Sequence, residues 1–485
     1  MITAQTCWRT ETAERARVLI DGAAYFQAVR EAMLQAEHSI HIIGWDFDHR
    51  SRLFRDGNKS DGSLQLGSFL RDLAKRRPGM SIRILRWGNS VLLNLGRELK
   101  HIFRLGWSSP RNIHYHRDLG HPFGATHHQK LIIIDDRVAF CGSLDLVEDR
   151  WDTPEHLEDD PRRRLRSGDI ASTRHEVAMM VQGAVARALG DLFRERWLQA
   201  TGYDVSAFHG DSDPWPPSIQ PDFRRVKVAI ARTMPVWRKT RGCREVEAFH
   251  LAAIRHARRY IYIENQYLAG RRLLSAICER LAEADGPEIV ILNPENAESM
   301  MEEASMGAAR AYAIRLLRDA DVHGHLALYR PVSAGGRQIY IHSKVLIFDD
   351  SLLKIGSSNL NNRSMGFDTE CDLVIESDSD EATSTGIADI RAILLAEHLG
   401  CAPDQVSAAL EEKASLIQAI ESLRKSEGKR LEILDSDLPI NADSLLHDLQ
   451  LLDPEAPARP FRLAKLHLAR KLGLRRARYK PSGKR

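Results

Sequence analysis

The chain is predicted to be an α/β protein made of two similar domains and a helical, basic extension. Three observations carry this. A spaced set of His, Lys, Asp, Gly and Ser occurs twice, strand-like apolar runs recur in the same order around both copies, and 485 residues exceed one ordinary hydrophobic core.

Taken in order, AEHSIHIIGWDFD (36–48) parallels ARRYIYIENQYL (257–268), each a helix end running into a strand. SIRILRW (81–87) and PEIVILN (287–293) are the next strands in their halves. Then come His128, Lys130, Asp135, Gly142 and Ser143 in one copy, and His342, Lys344, Asp349, Gly356 and Ser357 in the other. Each reads HxK, four residues, Asp, six residues, Gly-Ser. The apolar runs 131–134 and 345–348 make both stretches strands, so His and Lys two positions apart project to one face. HEVAMMV (175–181) matches TECDLVI (369–375) and aligns Glu176 with Glu370. Strands alternating with helical segments give an α/β unit made twice. The expected divisions are a first domain at 1–209, a linker at 210–222 marked by four prolines, a second domain at 223–400, and the extension at 401–485.

Composition narrows the class. Hydrophobic residues make up 43% of the chain, no run approaches the roughly 18 apolar residues a membrane-spanning helix needs, and the N-terminus lacks a signal-peptide core. A cytoplasmic protein, peripheral at the inner membrane, is expected. Six scattered cysteines without a CxxC pair argue for buried thiols, against a zinc ribbon or a disulfide framework. Residues 459–485 hold 11 Lys and Arg and no Asp or Glu, leaving 58 basic residues (69 − 11) against 66 acidic ones in the rest. A body of charge −8 thus carries a +11 tail, suited to an anionic surface.

Beyond the HxK pattern, the second copy completes a GSxN signature with Asn359, where the first has Asp145. With this duplicated HxKxxxxD signature the chain resembles the phospholipase D superfamily. GWDFD (44–48), HPFGATHHQK (121–130), GSLDL (142–146), RWDTPEH (150–156), IENQYL (263–268) and NLNNRSMGFDTE (359–370) are similar to segments of bacterial two-motif phospholipases D, covering most of residues 1–400. The resemblance implies a mixed sheet flanked by helices in each of two domains related by a pseudo-twofold. It also implies phospholipase D chemistry on glycerophospholipids, with transphosphatidylation.

The residues suit that chemistry. The catalytic set implied by the motif is His128, Lys130, Asp135, His342, Lys344 and Asp349. One histidine attacks phosphorus to give a phosphohistidine and the other protonates the leaving alcohol, with His128 the nucleophile by family analogy. Lys130 and Lys344 supply charge for phosphoryl oxygens, and Ser143, Ser357 and Asn359 supply phosphate-binding hydrogen bonds. No cofactor or metal is required. Glu176 and Glu370 are expected to hold the histidines' other ring nitrogens. Asp135 and Asp349 end strands and serve structure more than the chemical step. Asp145 is expected to turn away from phosphate, pair with a cation or be protonated.

Several neighbours have plainer readings. His127 points opposite to His128 on a strand and cannot share a metal with it, and His121 shapes a loop. The Arg-rich stretch 159–167 is an entrance loop or a solvated one, Trp45, Asp46 and Glu264 to Gln266 line the pocket or pack, and most Trp residues are core. Two other readings stay open: a cardiolipin synthase-type phosphatidyltransferase, and a nuclease. No specific nucleic-acid partner is expected, because two motifs in one chain and an acidic body favour lipid. Headgroup, acceptor and oligomeric state are open.

Overall fold

The computed structural model describes residues 2–52, 55, 65–88, 110–238, 240–297, 303–435 and 453–456. The basic tail lies outside the described residues, as does Trp107. The strands in chain order are β1 (Arg9–Ile20), β2 (Ser39–Gly44), β3 (Ser81–Trp87), β4 (Ile113–Asp118), β5 (Leu131–Ile134), β6 (Val138–Gly142), β7 (Arg174–His175) and β8 (Val177–Gly183). The second half continues with β9 (Phe223–Met234), β10 (Cys243–Arg244), β11 (Tyr260–Glu264), β12 (Glu288–Leu292), β13 (Leu326–Val332), β14 (Tyr340–Ile341), β15 (Val345–Phe348), β16 (Leu352–Gly356) and β17 (Glu370–Glu376). β18 (Arg430–Ile433) follows in the extension.

All the strands but β7 and β14 form one mixed sheet in the order β18-β13-β12-β11-β15-β16-β17-β9-β1-β8-β6-β5-β2-β3-β4, with β10 paired to β9 beside this path. Read outward from the central β1–β9 pair, both directions repeat one plan, so the duplication in sequence is a pseudo-twofold in space. β2, β3 and β4 are parallel, as are β11, β12 and β13, while the HxK strands β5 and β15 run antiparallel to β2 and β11. Of these, β2, β5, β11 and β15 are buried along their whole length, which is why the HxK strands read as unbroken apolar runs such as Leu131–Ile134. A fully buried side chain like Ile133 contributes about 2 kcal/mol through burial.

Helices fill both faces. Asp21–Gln35 buries Tyr25, Phe26, Val29 and Met33, and its counterpart Glu245–His256 buries Val246, Phe249, Ala253 and Ile254, both at i, i+3, i+4 spacing. Ala184–Thr201 ends on Gly202 at φ 77°, a left-handed cap that glycine adopts without strain. Glu381–Leu399 starts on Asp380, whose side chain accepts from Thr383 N.

Two expectations change here. The extension is not simply helical: after the helices Pro403–Lys413 and Leu416–Leu423, β18 adds antiparallel to β13 and closes the second half's sheet edge. Segment 210–222 also packs closely, with Trp215 buried and Asp222 bonded to Val18 N and Arg17.

The motif aspartates shape this frame. Asp135 and Asp136 lie at φ 52° and 50°, and Asp349 and Asp350 at φ 54° and 51°, left-handed turns that Asp tolerates. The Asp135 carboxylate accepts from the backbone N–H of Glu37, His38 and Ser39, and that of Asp349 from Arg258, Arg259 and Tyr260. Both therefore sit at the strand end remote from His and Lys, pinning the HxK strand to its neighbour. This corrects the motif-implied grouping of Asp135 and Asp349 with the catalytic set.

Candidate active site

The two halves exchange backbone bonds just ahead of their HxK strands. His128 N donates to Thr369 O at 3.0 Å, and His342 N donates to His175 O at 2.9 Å. β14 pairs in parallel with β7, and His127 bridges Thr369 at the equivalent place. Each histidine is thereby carried to the residue that precedes a glutamate of the opposite half. His128 Nδ1 lies 3.0 Å from Glu370 Oε2, and His342 Nδ1 lies 2.8 Å from Glu176 Oε2. The carboxylates fix each ring and leave Nε2 of both histidines without a hydrogen-bond partner among the described residues.

The serines of the Gly-Ser pairs are committed to this scaffold. Ser143 Oγ donates to Glu176 Oε2 at 2.5 Å and accepts from Val177 N, and Ser357 Oγ donates to Glu370 Oε2 at 2.5 Å and accepts from Cys371 N. Both are fully buried, which corrects their expected role as phosphate ligands: their hydroxyls orient the glutamates. Ser364 Oγ adds a third bond to Glu370 at 2.7 Å.

Lysines and amides provide the remaining polarity. Lys130 Nζ pairs with Asp145 at 2.9 Å, and Asp145 Oδ1 also accepts from Trp45 N and Asp46 N. Of the fates open to Asp145, pairing with a cation is the one observed. Lys344 Nζ instead donates to Gln266 Oε1 at 3.1 Å and to His342 O at 2.5 Å, neutral acceptors. Asn359 is almost buried, and its Oδ1 has no partner among the described residues.

Electrostatics ties the groups into one site. Burial, then the charges of Lys130 and Lys344, hold His128 well below its usual range. His342 is likewise held well below by burial, then Lys344, Arg150, Arg174 and Lys130. Each ring thus feels both lysines, and both are neutral at rest. Burial, against two hydroxyl hydrogen bonds, pushes Glu370 up to about 8. Glu176 is raised by burial too, with Arg150 and Arg174 opposing. Burial lowers Lys344 well below the ordinary lysine range.

The surrounding residues divide between structure and site. His127 is buried with Nε2 3.2 Å from Asp118, and His121 receives Trp87 Nε1 at 3.1 Å, so both are structural. In the 159–167 stretch Arg163 is fully buried on Asp152, while Arg162 pairs with Asp160 and Arg166 with Asp48 and Glu148, so the stretch is anchored. Glu264 is fully buried and accepts from Ser343 Oγ and Tyr262 OH. Sequence reasoning missed Arg150 and Arg174 beside Glu176; the only signal was their place in RWDTPEH and immediately before HEVAMMV.

Comparison with known proteins agrees with the architecture. Residues 32–214 match the family model described as phospholipase D, and residues 251–390 the one described as cardiolipin synthase, PLD-like domain. Phospholipase D alpha 1 of Carica papaya is 22% identical over 87% of this chain and 70% of its own length. Phospholipase D alpha 1 of Nicotiana tabacum is 22% identical over 72% of this chain and 60% of its own length. Phospholipase D1 of Saccharomyces cerevisiae is 25% identical over 80% of this chain, which spans 29% of that protein. The crystal structure of phosphatidylserine synthase from Haemophilus influenzae Rd KW20 superposes with TM-score 0.56 at 12% identity, covering 84% of this chain and 94% of that one, a likeness of fold. Two family domains in tandem, on a sheet that repeats about one axis, place the chain in the phospholipase D superfamily.

Proposed function

We propose that the protein is a phospholipase D, cleaving the headgroup phosphodiester of glycerophospholipids to phosphatidate and alcohol. The observation that carries the reading is the crossed pair of His–Glu contacts. Each half supplies one imidazole and the carboxylate that holds the other, so the two positioned rings keep Nε2 atoms free of partners among the described residues. His128 Nε2 attacks phosphorus, and the headgroup oxygen leaves with a proton from His342, which must be loaded while the anionic phosphate offsets the surrounding cations. The resulting phosphatidyl-histidine is released by water, or by an alcohol in transphosphatidylation, with His342 as base. Lys130, Lys344 and the open Asn359 amide face the phosphoryl oxygens.

The cardiolipin synthase-type match over residues 251–390 favours one second reading, a phosphatidyltransferase that uses an alcohol acceptor in place of water. Residues 459–485, with 11 basic side chains, recruit the acidic body to anionic membrane at roughly 1 kcal/mol per engaged Lys or Arg. Mixed phospholipid vesicles offered with a primary alcohol, beside plasmid DNA in a parallel reaction, test the assignment. Phosphatidate with some phosphatidyl-alcohol is expected. Exclusive transfer would establish the second reading, and DNA cleavage without lipid turnover would overturn both.

A further inference from the structure

Behind His342 lies a second polar cluster that the proposed chemistry does not use. Asp21, at the start of the helix Asp21–Gln35, His156 in the loop after RWDTP, His175 of β7 and Glu397 near the end of the helix Glu381–Leu399 converge there, all but Glu397 fully buried. Their facing atoms are close. His175 Nδ1 is 2.8 Å from Glu397 Oε1 and 3.2 Å from Asp21 Oδ1, and His156 Nε2 is 3.0 Å from Glu397 Oε1 and 3.6 Å from Asp21 Oδ2.

One ligand atom from each of the four residues lies within 4.8 Å of the others, a spacing that one ion can bridge. Zinc bonds of about 2.0–2.2 Å to nitrogen and oxygen place neighbouring ligand atoms roughly 3.3–3.6 Å apart, so an ion would open the two shorter contacts by a few tenths of an ångström. The outer contacts match as well. The ring nitrogens pointing away are each held by a separate carboxylate, His156 Nδ1 by Asp152 at 2.9 Å and His175 Nε2 by Glu264 at 3.0 Å. Such an outer carboxylate fixes the tautomer of a metal-bound imidazole. Asp152 is braced by Arg163, and Glu264 by His398 and Ser343.

Two further observations point to a ligand. Asp21 adopts φ 64°, a left-handed conformation that aims its carboxylate inward, and its buried Oδ2 has no hydrogen-bond partner among the described residues. Glu397 also borders a surface cleft of about 620 Å³ lined by Leu19, Pro154 and Lys429, which gives an ion a route in.

We propose that Asp21, His156, His175 and Glu397 form a structural site for one divalent zinc-like cation. Two imidazoles and two carboxylates suit a borderline transition ion better than calcium or magnesium, which prefer all-oxygen shells. As the ion enters, the protons on His156 Nε2 and His175 Nδ1 leave to solvent, and two carboxylates balance its charge. The site joins the start of the first half to the last helix of the second. It also stands directly behind the active site: Asp21 Oδ1 accepts from Glu176 N, and His175 O accepts from His342 N. The ion is a positioning element for Glu176 and His342 and takes no part in bond making.

Metal analysis of the full-length chain, purified from zinc-supplemented culture and dialysed, is the test. One equivalent of zinc per chain is expected, a chelator should lower Tm with zinc restoring it, and cobalt(II) replacement should give the intense visible bands of a tetrahedral site. Asp21→Asn and His156→Asn, checked for folding by circular dichroism, should lose the metal. A folded wild-type chain that retains no metal, and whose Tm answers to neither chelator nor zinc, overturns the proposal and leaves a hydrogen-bonded imidazolium–carboxylate network. Full retention of metal by both variants, or an octahedral cobalt spectrum, overturns it equally.

Discussion

The two arms of the proposed active site share a plan and differ in charge. On the His128 arm Lys130 is paired with Asp145, and the holding carboxylate, Glu370, receives only hydroxyls besides the ring among the described residues. On the His342 arm Lys344 meets the neutral Gln266, Asn359 stands where the repeat has Asp145, and Glu176 lies in the field of Arg150 and Arg174. The backbone repeat thus reproduces positions, while side-chain choice makes one arm balanced and the other electropositive. A phosphodiester anion would be drawn toward the Lys344–Asn359 side, and the less cationic surroundings of His128 would face its phosphorus.

Removing either ring should have the largest effect. His128→Ala and His342→Ala are each expected to lower kcat by about 10⁴-fold, because covalent and acid–base catalysis both need two rings. Turnover by either variant at the wild-type rate would break the shared-site account.

Replacing the holding carboxylates should separate the arms. At neutral pH Glu176→Gln is expected to cost about 10³-fold in kcat, and Glu370→Gln about tenfold less, because a Glu370 pushed up to about 8 is largely protonated and Gln mimics the acid. As pH rises through 8 the wild-type Glu370 ionises and Gln cannot, so the gap between wild type and Glu370→Gln should widen. Rate–pH profiles of the two variants check this, and equal, pH-independent losses would show that the arms do not differ.

Exchanging Asp and Asn between the two GSx(D/N) segments comes next. Asn359→Asp puts a carboxylate beside the phosphate and should lower kcat/KM about 10²-fold. Asp145→Asn leaves Lys130 buried without its carboxylate and should cost about 3 kcal/mol in urea unfolding, with a smaller effect on rate. Similar kinetic losses in both variants would mean that the Asp145 carboxylate matters to the reaction as much as the Asn359 amide does.

The smallest effect expected is on stability against pH. Glu370 has a raised folded-state pKa, so its contribution is fully present below the ordinary carboxylate range and is lost as pH rises through about 8. The histidines have lowered values, so theirs is present above the ordinary imidazole range and lost as pH falls. Wild-type Tm should therefore fall as pH drops below the ordinary imidazole range, and Glu370→Gln should remove the separate loss that runs from the ordinary carboxylate range up to about 8.

Much of this was legible in the sequence because the repeat is local. The HxK spacing, the strand runs and the alignment of Glu176 with Glu370 all lie within short windows, and each maps onto β5, β15, β8 or β17. What was hidden depends on chain separation. Nothing in either window says that His128 meets Glu370 while His342 meets Glu176, since the crossing comes from β7 pairing with β14 across the pseudo-twofold. Ser143 and Ser357 look like phosphate ligands until the strand geometry turns their hydroxyls onto the glutamates. The cluster of Asp21, His156, His175 and Glu397 is not marked by any one motif, because His156 closes RWDTPEH and His175 opens HEVAMMV while Asp21 and Glu397 come from helices far from both in the chain.

Trapping the covalent intermediate tests the shared, crossed site most directly. His342→Asn, given phospholipid labelled in the phosphate and carrying a headgroup that leaves without protonation, should form the first bond and stall before hydrolysis. An acid-labile, base-stable label on the peptide containing His128, absent from His128→Asn, is the predicted result. Label on no histidine, or continued turnover by His342→Asn at the wild-type rate, would contradict the account.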